Sequence, residues 1–177
     1  MLVAPLLVAE DDYLSPYEMP GVGYVERVEE LLGNASENLG EDNSKAIQYA
    51  KEALFLAREY NGSEEEFRTL ILLGNAYQDA GLSDTALGYF YQANSKYNEA
   101  FGKAALGRLY NAIGMPLAIL ESTDQALEYF QLATEIGQEI ADKSIIATAK
   151  LNFGLIYEKE GNLELAQAAY AEAASML

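Results

Sequence analysis

Small and aromatic residues recur along this chain with a period of 40 residues. The columns that carry the period are Gly74, Gly114 and Gly154; Ala46, Ala86, Ala126 and Ala166; Ala53, Ala93, Ala133 and Ala173; and Phe90, Phe130 and Tyr170. Within a unit the aromatic follows the first alanine by one helical turn, so the two lie on one helix face. The pattern predicts helix pairs that approach closely at the small residues, with an aromatic ring filling the space beside them.

Glycines and polar residues indicate where these helices begin and end. Gly81 and Gly161 fall at the predicted ends of first helices. The residues predicted to cap second helices are Asn43, Ser83, Thr123 and Asn162. Ser63 and Glu66 have the spacing of a capping box. Pro116 lies inside a predicted helix, where we expect a local bend that the packing tolerates.

The repeated phrase resembles the tetratricopeptide repeat. The second unit carries it as Leu73-Gly74, Tyr77, Gly81, Ala86, Phe90 and Ala93, and the fourth as Phe153-Gly154, Tyr157, Gly161, Ala166, Tyr170 and Ala173. The third unit has Leu117 and Glu121 where the family usually has Tyr and Gly. The first helix of the first unit needs a one-residue slip to place Gly33 and Gly40.

This resemblance implies an all-α fold, a right-handed superhelical stack of about four helix-turn-helix pairs. The expected units cover about residues 24–61, 64–101, 103–141 and 144–177, after an irregular N-terminal segment at 1–23. The family's usual unit has about 34 residues, so a 40-residue period implies helices roughly one turn longer.

The amino-acid composition excludes or disfavours several classes of partner, catalytic group and metal site. The 177 residues include 11 basic and 28 acidic side chains, a net charge of −17 that disfavours nucleic acid and membrane surfaces and is compatible with a basic partner. The absence of His and Cys removes imidazole and thiolate catalysis and the usual zinc ligands. The apolar residues 2–9 are too few to span a bilayer, and Asp11-Asp12 lack the spaced ligands of a calcium loop. We therefore predict neither enzyme activity nor a metal or cofactor.

The resemblance also implies a concave surface lined by the first helix of each unit. The candidate partner-binding residues on that surface are Arg68, Asn75, Gln78, Arg108, Asn111, Met115, Asn152 and Lys159. Amide side chains can donate to and accept from a peptide backbone, and Arg pairs with carboxylates. Polar residues on a solvated helix face equally need no ligand. We expect Arg68, Asn75, Arg108 and Asn152 to be solvated, so that their replacement by Ala leaves the stack folded.

The leading functional hypothesis is a non-enzymatic adaptor or scaffold that binds a protein or extended peptide in this groove. One alternative is a ligand-sensing regulatory module whose curvature changes on binding. Another is a structural protein that self-assembles through residues 163–177, an Ala-rich helix with only two charges. Terminal repeats normally present a polar outer face, which this helix lacks.

Overall fold

The computed structural model describes residues 23–176, which form eight α-helices and one short 3-10 helix, Glu99–Phe101. The α-helices are α1 Tyr24–Asn38, α2 Asn43–Glu59, α3 Ser63–Asp79, α4 Ser83–Lys96, α5 Lys103–Ile119, α6 Thr123–Glu139, α7 Lys143–Lys159 and α8 Leu163–Ala174. The expectations for residues 2–9, for Asp11-Asp12 and, apart from Gly23, for the irregular segment at 1–23 fall outside the described residues.

The helices pack as a stack of helical pairs, as predicted. Each first helix packs on the second helix of its pair, and α3, α5 and α7 also contact the second helix of the preceding pair. First helices of successive pairs touch one another as well. Around α5 and α6, two 17-residue helices and two three-residue turns account for the 40-residue period.

The glycine column sets the separation of the two helices within a pair. A Cβ atom added at Gly74, Gly114 or Gly154 would lie less than 3.0 Å from the ring of the aromatic residue 16 positions later. Real Cβ atoms essentially never make contacts that short. Each glycine therefore accommodates an aromatic ring, and this explains why the two columns recur together.

The first pair uses a different combination of residues. Ala50 takes the place of the aromatic, and both Ala50 and Ala35 are fully buried. The predicted role of Gly33 is wrong, because Gly33 is exposed and a Cβ there would meet nothing within 4 Å. Gly40 does form the predicted turn, with a φ of 78°. Without a ring to accommodate, the first pair needs no glycine in the column.

Three of the four predicted N-caps and the predicted capping box are wrong by one position or more. Asn162 caps α8 by accepting a hydrogen bond from the Leu165 amide. The other three are Asn43, Ser83 and Thr123, which are first helical residues rather than caps. Ser63 is also a first helical residue, and Glu66 turns away from the helix terminus to bind two cations.

Left-handed residues end several helices. Gly81 and Gly161 adopt φ values of 76° and 79° at the predicted positions. Glu121 occupies the corresponding turn of the third pair with a φ of 62°, although a non-glycine residue is strained there. Pro116 is buried inside α5, which continues beyond it to Ile119. The packing therefore tolerates the proline without ending the helix.

Glu66 connects three helices through a buried carboxylate. Its Oε1 atom accepts from Arg58 Nε of α2 at 2.8 Å, and its Oε2 atom accepts from Lys96 Nζ of α4 at 2.9 Å. Burial alone would raise the pKa of Glu66, but Lys96 and Arg58 outweigh it and hold the pKa below the ordinary value of 4.5. The ionised carboxylate thus stabilises the fold.

Glu66→Gln is expected to lower the free energy of unfolding by about 1 kcal/mol at neutral pH, since both cations are half exposed. A carboxyl group whose pKa is lower in the folded than in the unfolded state stabilises the fold above pH 4.5. This stabilisation is lost as the pH falls through the pKa of the folded state. The difference between wild type and variant should therefore shrink below pH 4.5 in urea titrations. Glu37→Gln, at an exposed position of α1, is the control. A difference independent of pH would contradict the prediction.

Candidate functional site

A cavity of about 650 Å³ opens between the first helices of the pairs, and we call it the inner groove. Its walls come from α1, α3, α5 and α7 and from Phe101 of the 3-10 helix. The predicted partner-binding residues that line it are Arg68, Asn75, Arg108, Asn111, Met115 and Asn152. Six of the eight candidates therefore surround one cavity, because each projects from a first helix toward the same side of the stack.

Two buried asparagines lie on the groove wall. Asn111 of α5 is 5% exposed, and its Nδ2 atom donates to the Ile145 carbonyl of α7 at 3.1 Å. Asn152 of α7 is 7% exposed. Within residues 23–176, neither Asn111 Oδ1 nor Asn152 Nδ2 has a hydrogen-bond partner. One buried acceptor and one buried donor in the groove wall are thus without partners.

The expectation that Asn152 is solvated is wrong. Its side chain packs between α7 and the groove and is nine-tenths buried. Thr148, one turn earlier on the same face of α7, is exposed, so burial along this face increases toward Asn152. The fourfold alanine replacement would therefore remove one buried side chain.

The two groove arginines have different electrostatic surroundings. Arg68 forms a bidentate ion pair with Glu29 of α1, in which Nη2 and Oε2 are 3.1 Å apart. Arg108, one 40-residue period later, has no carboxylate partner in the described part of the chain. Arg108 is exposed at the cavity wall and is therefore the groove cation that is available to an incoming anion.

Gln78 and Lys159 lie outside this cavity. Gln78 is half-buried near the end of α3, and its Oε1 atom has no partner among residues 23–176. Lys159 is exposed at the end of α7, where its Nζ atom donates to the Ala118 carbonyl at 3.4 Å. Both residues lie near the C-terminal ends of their helices, beyond the part of the stack that encloses the inner groove.

Sequence reasoning missed several of the apolar lining residues. Phe67 of α3 and Phe101 of the 3-10 helix form one wall together, with ring centroids 5.1 Å apart. Leu32 of α1 was missed because the slipped register of the first helix obscured which of its faces points inward. Phe101 lies in the irregular connection after α4, where helical periodicity gives no signal.

The last helix exposes apolar side chains, as its composition indicated. Leu163 is 61% exposed and Leu165 is 46% exposed. Self-assembly through this helix stays a prediction. Within residues 23–176, no helix is both long enough and apolar enough to cross a bilayer.

Comparisons with known proteins agree with this architecture. The family described as tetratricopeptide repeat matches residues 147–176. Tetratricopeptide repeat protein 29 of Trypanosoma brucei brucei is 27% identical over 140 residues, which cover 76% of this chain and 28% of that protein. The chain therefore spans little more than a quarter of this curated relative.

A solved structure has a similar fold. The crystal structure of BtubC (BKLC) from P. vanneervenii superposes with a TM-score of 0.60 at 18% sequence identity. The superposition covers 88% of this chain and 71% of BtubC. The matched repeat, the related protein and the recurring helix pairs support an assignment of this chain to the tetratricopeptide repeat family.

Proposed function

We propose that this chain is a non-enzymatic adaptor that binds an extended segment of a protein partner in the inner groove. Tetratricopeptide repeats generally mediate protein–protein interaction as scaffolds, and this general role applies to the family as a whole. The observation that carries the specific proposal is the pair of buried, unpartnered amide atoms, Asn111 Oδ1 and Asn152 Nδ2.

An unsatisfied buried polar atom costs about 1–3 kcal/mol, so a fold that needed these positions only for stability would favour apolar side chains. An extended peptide can supply both missing partners when the two side-chain amides, whose unpartnered atoms are inaccessible in the free protein, turn toward the groove. Its backbone carbonyl would accept from Asn152 Nδ2, and a backbone N–H would donate to Asn111 Oδ1. These two hydrogen bonds would involve only the peptide backbone. The preference for particular peptide side chains would then depend on the other groove residues.

Arg108 and the apolar wall supply that selection. The free guanidinium of Arg108 favours a carboxylate in the bound segment. Ile71, Phe101 and Met115 are partly exposed and form apolar surface that an apolar side chain of the segment would cover. The cavity volume of about 650 Å³ lies within the range of ligand sites, roughly 300–1,000 Å³.

The test begins with peptides selected on the wild-type protein from a random display library. Affinities are then measured by fluorescence anisotropy. Asn152→Leu should weaken binding by about tenfold or more, because the bound carbonyl loses its donor. The same variant should leave the free energy of unfolding unchanged or raise it, since the unpaired donor is removed from a buried site. Weaker binding with undiminished stability separates a binding role from a folding role.

Matched variants locate the binding surface. Gln48→Ala removes an exposed amide from α2, outside the groove, and should leave affinity unchanged. Arg108→Ala should weaken binding of acidic peptides more than of their amidated counterparts. The proposal is wrong if selected peptides bind Asn152→Leu and Arg108→Ala as tightly as they bind wild type.

A further inference from the structure

A second cavity of about 300 Å³ lies between α4, α5 and α6 and shares no lining residue with the inner groove. Three tyrosines surround it: Tyr91 of α4, Tyr110 of α5 and Tyr129 of α6. The ring centroid of Tyr129 is 5.7 Å from that of Tyr110 and 6.5 Å from that of Tyr91. The Tyr129 ring is tilted by 58° to the Tyr110 ring and by 46° to the Tyr91 ring, so the rings around the cavity do not lie in one plane.

The charges around this cavity favour a cation. Glu128 lines it, and its described lining contains no Lys or Arg. Burial first, and then the neighbouring tyrosines, raise the pKa of Tyr129 above its ordinary value of 10, so its phenol stays neutral. Neutral aromatic faces attract cations within about 6 Å of their centroids, most strongly when water is excluded. A nearby carboxylate adds to that attraction.

The preceding repeat places a lysine beside tyrosines, at the position that corresponds to Tyr91. Lys51 precedes Tyr91 by one 40-residue period, and Tyr89 precedes Tyr129 by the same step. The Lys51 Nζ atom lies 5.7 Å from the ring centroid of Tyr77, which stacks on Tyr89 with centroids 5.3 Å apart. There the chain supplies its own ammonium group. In the next interval Tyr91 stands in the place of that lysine and Leu117 in the place of Tyr77, and the lining of the three-tyrosine cavity contains no cation.

We propose that Tyr91, Tyr110, Tyr129 and Glu128 form an aromatic cage that binds an alkylammonium cation. The ligand is either a small quaternary ammonium molecule or the ammonium group of a lysine side chain, methylated or not, on another protein. Tyr91 is 41% exposed and lies on the solvent side of the cavity, from which the cation enters. The cage works through cation–π attraction reinforced by the Glu128 carboxylate.

The test follows the trimethylammonium protons of choline by NMR during titration with the protein. Ring currents should shift these protons upfield, whereas the neutral analogue 3,3-dimethylbutanol should bind about tenfold more weakly or not at all. Parallel titrations with amides of N-acetyl-lysine and N-acetyl-trimethyllysine distinguish the two sources, because the natural ligand class should bind tightest. Equal binding of choline and its neutral analogue would show an apolar cavity rather than a cation site.

Variants connect the signal to the cage. Tyr91→Leu should weaken choline binding about tenfold, and Tyr91→Phe should retain it within about twofold, because the ring face is kept. Tyr91→Lys should abolish binding by supplying an internal ammonium, as Lys51 does one repeat earlier.

Glu128→Gln should weaken binding several-fold, while Glu135→Gln, the same change on α6 outside the cavity, should leave it unchanged. An unaltered choline shift in both Tyr91→Leu and Glu128→Gln overturns the proposal, as does no shift with wild type. Asn152→Leu should leave choline binding intact, which separates this test from that of the inner groove.

Discussion

Replacing Phe130 by Ala is expected to lower the free energy of unfolding by about 3–5 kcal/mol. The Phe130 side chain is fully buried in the main core, with its ring over Gly114 and 5.8 Å, centroid to centroid, from Phe153 of the next pair. Its loss removes apolar burial and leaves a cavity between two consecutive pairs that the stiff helices fill only in part. The third pair would lose contacts both within itself and to the fourth.

Urea denaturation followed by circular dichroism measures this effect. Phe55→Ala is the matched control, because half of the Phe55 side chain is already exposed on α2 and its removal should cost about 1 kcal/mol or less. A similar cost for the two variants would contradict the prediction that the buried Phe130 ring is a main source of core stability.

The second large effect is expected for Gly114→Ala, a net loss of about 1–3 kcal/mol. The added Cβ would overlap the Phe130 ring, so α5 and α6 must separate or the ring must leave its rotamer. This cost is opposed by the higher helix propensity of Ala, about 1 kcal/mol. Because Asn111 and Met115 lie on the same helix, a displaced α5 should also alter the inner groove.

Gly88→Ala isolates the propensity contribution. Gly88 is exposed within α4, and a Cβ there would meet nothing within 4 Å. The same substitution should therefore stabilise the protein by about 0.5–1 kcal/mol. Opposite signs at Gly88 and Gly114 would show that contact with the ring, rather than glycine flexibility, determines the outcome. Destabilisation at both positions would contradict this account.

The double variant Gly114→Ala/Phe130→Ala gives the sharpest measurement. Without the ring there is nothing for the new Cβ to overlap, so adding Gly114→Ala to Phe130→Ala should be neutral or stabilising by about 1 kcal/mol. The first pair already has Ala50 in the aromatic column, with the buried Ala35 on its first helix. Additive costs in the double variant would indicate that Gly114 and Phe130 act independently.

The inner groove was predicted in outline, because helix periodicity places residues 68, 75, 108, 111, 115 and 152 on first helices and the resemblance identifies the inward face. Periodicity does not report burial within that face. Asn111 and Asn152 become buried because the neighbouring first helices α5 and α7 touch, a contact between residues 34 or more positions apart. Gln78 and Lys159 follow the same pattern, but lie outside the inner groove.

The sequence by itself determined the all-α class, the 40-residue step and the pairing of Gly with aromatic residues, because these depend on spacing within one unit. Tertiary structure alone decided the features that depend on which units meet. Three such features depend on side chains from different helices. They are the ion pairs of Glu66, the unpartnered amides of the inner groove and the three-tyrosine cavity. The repeat period specifies which side chains lie on each face of a helix. The distance and angle between packed helices determine which side chains lose water and which remain without a partner.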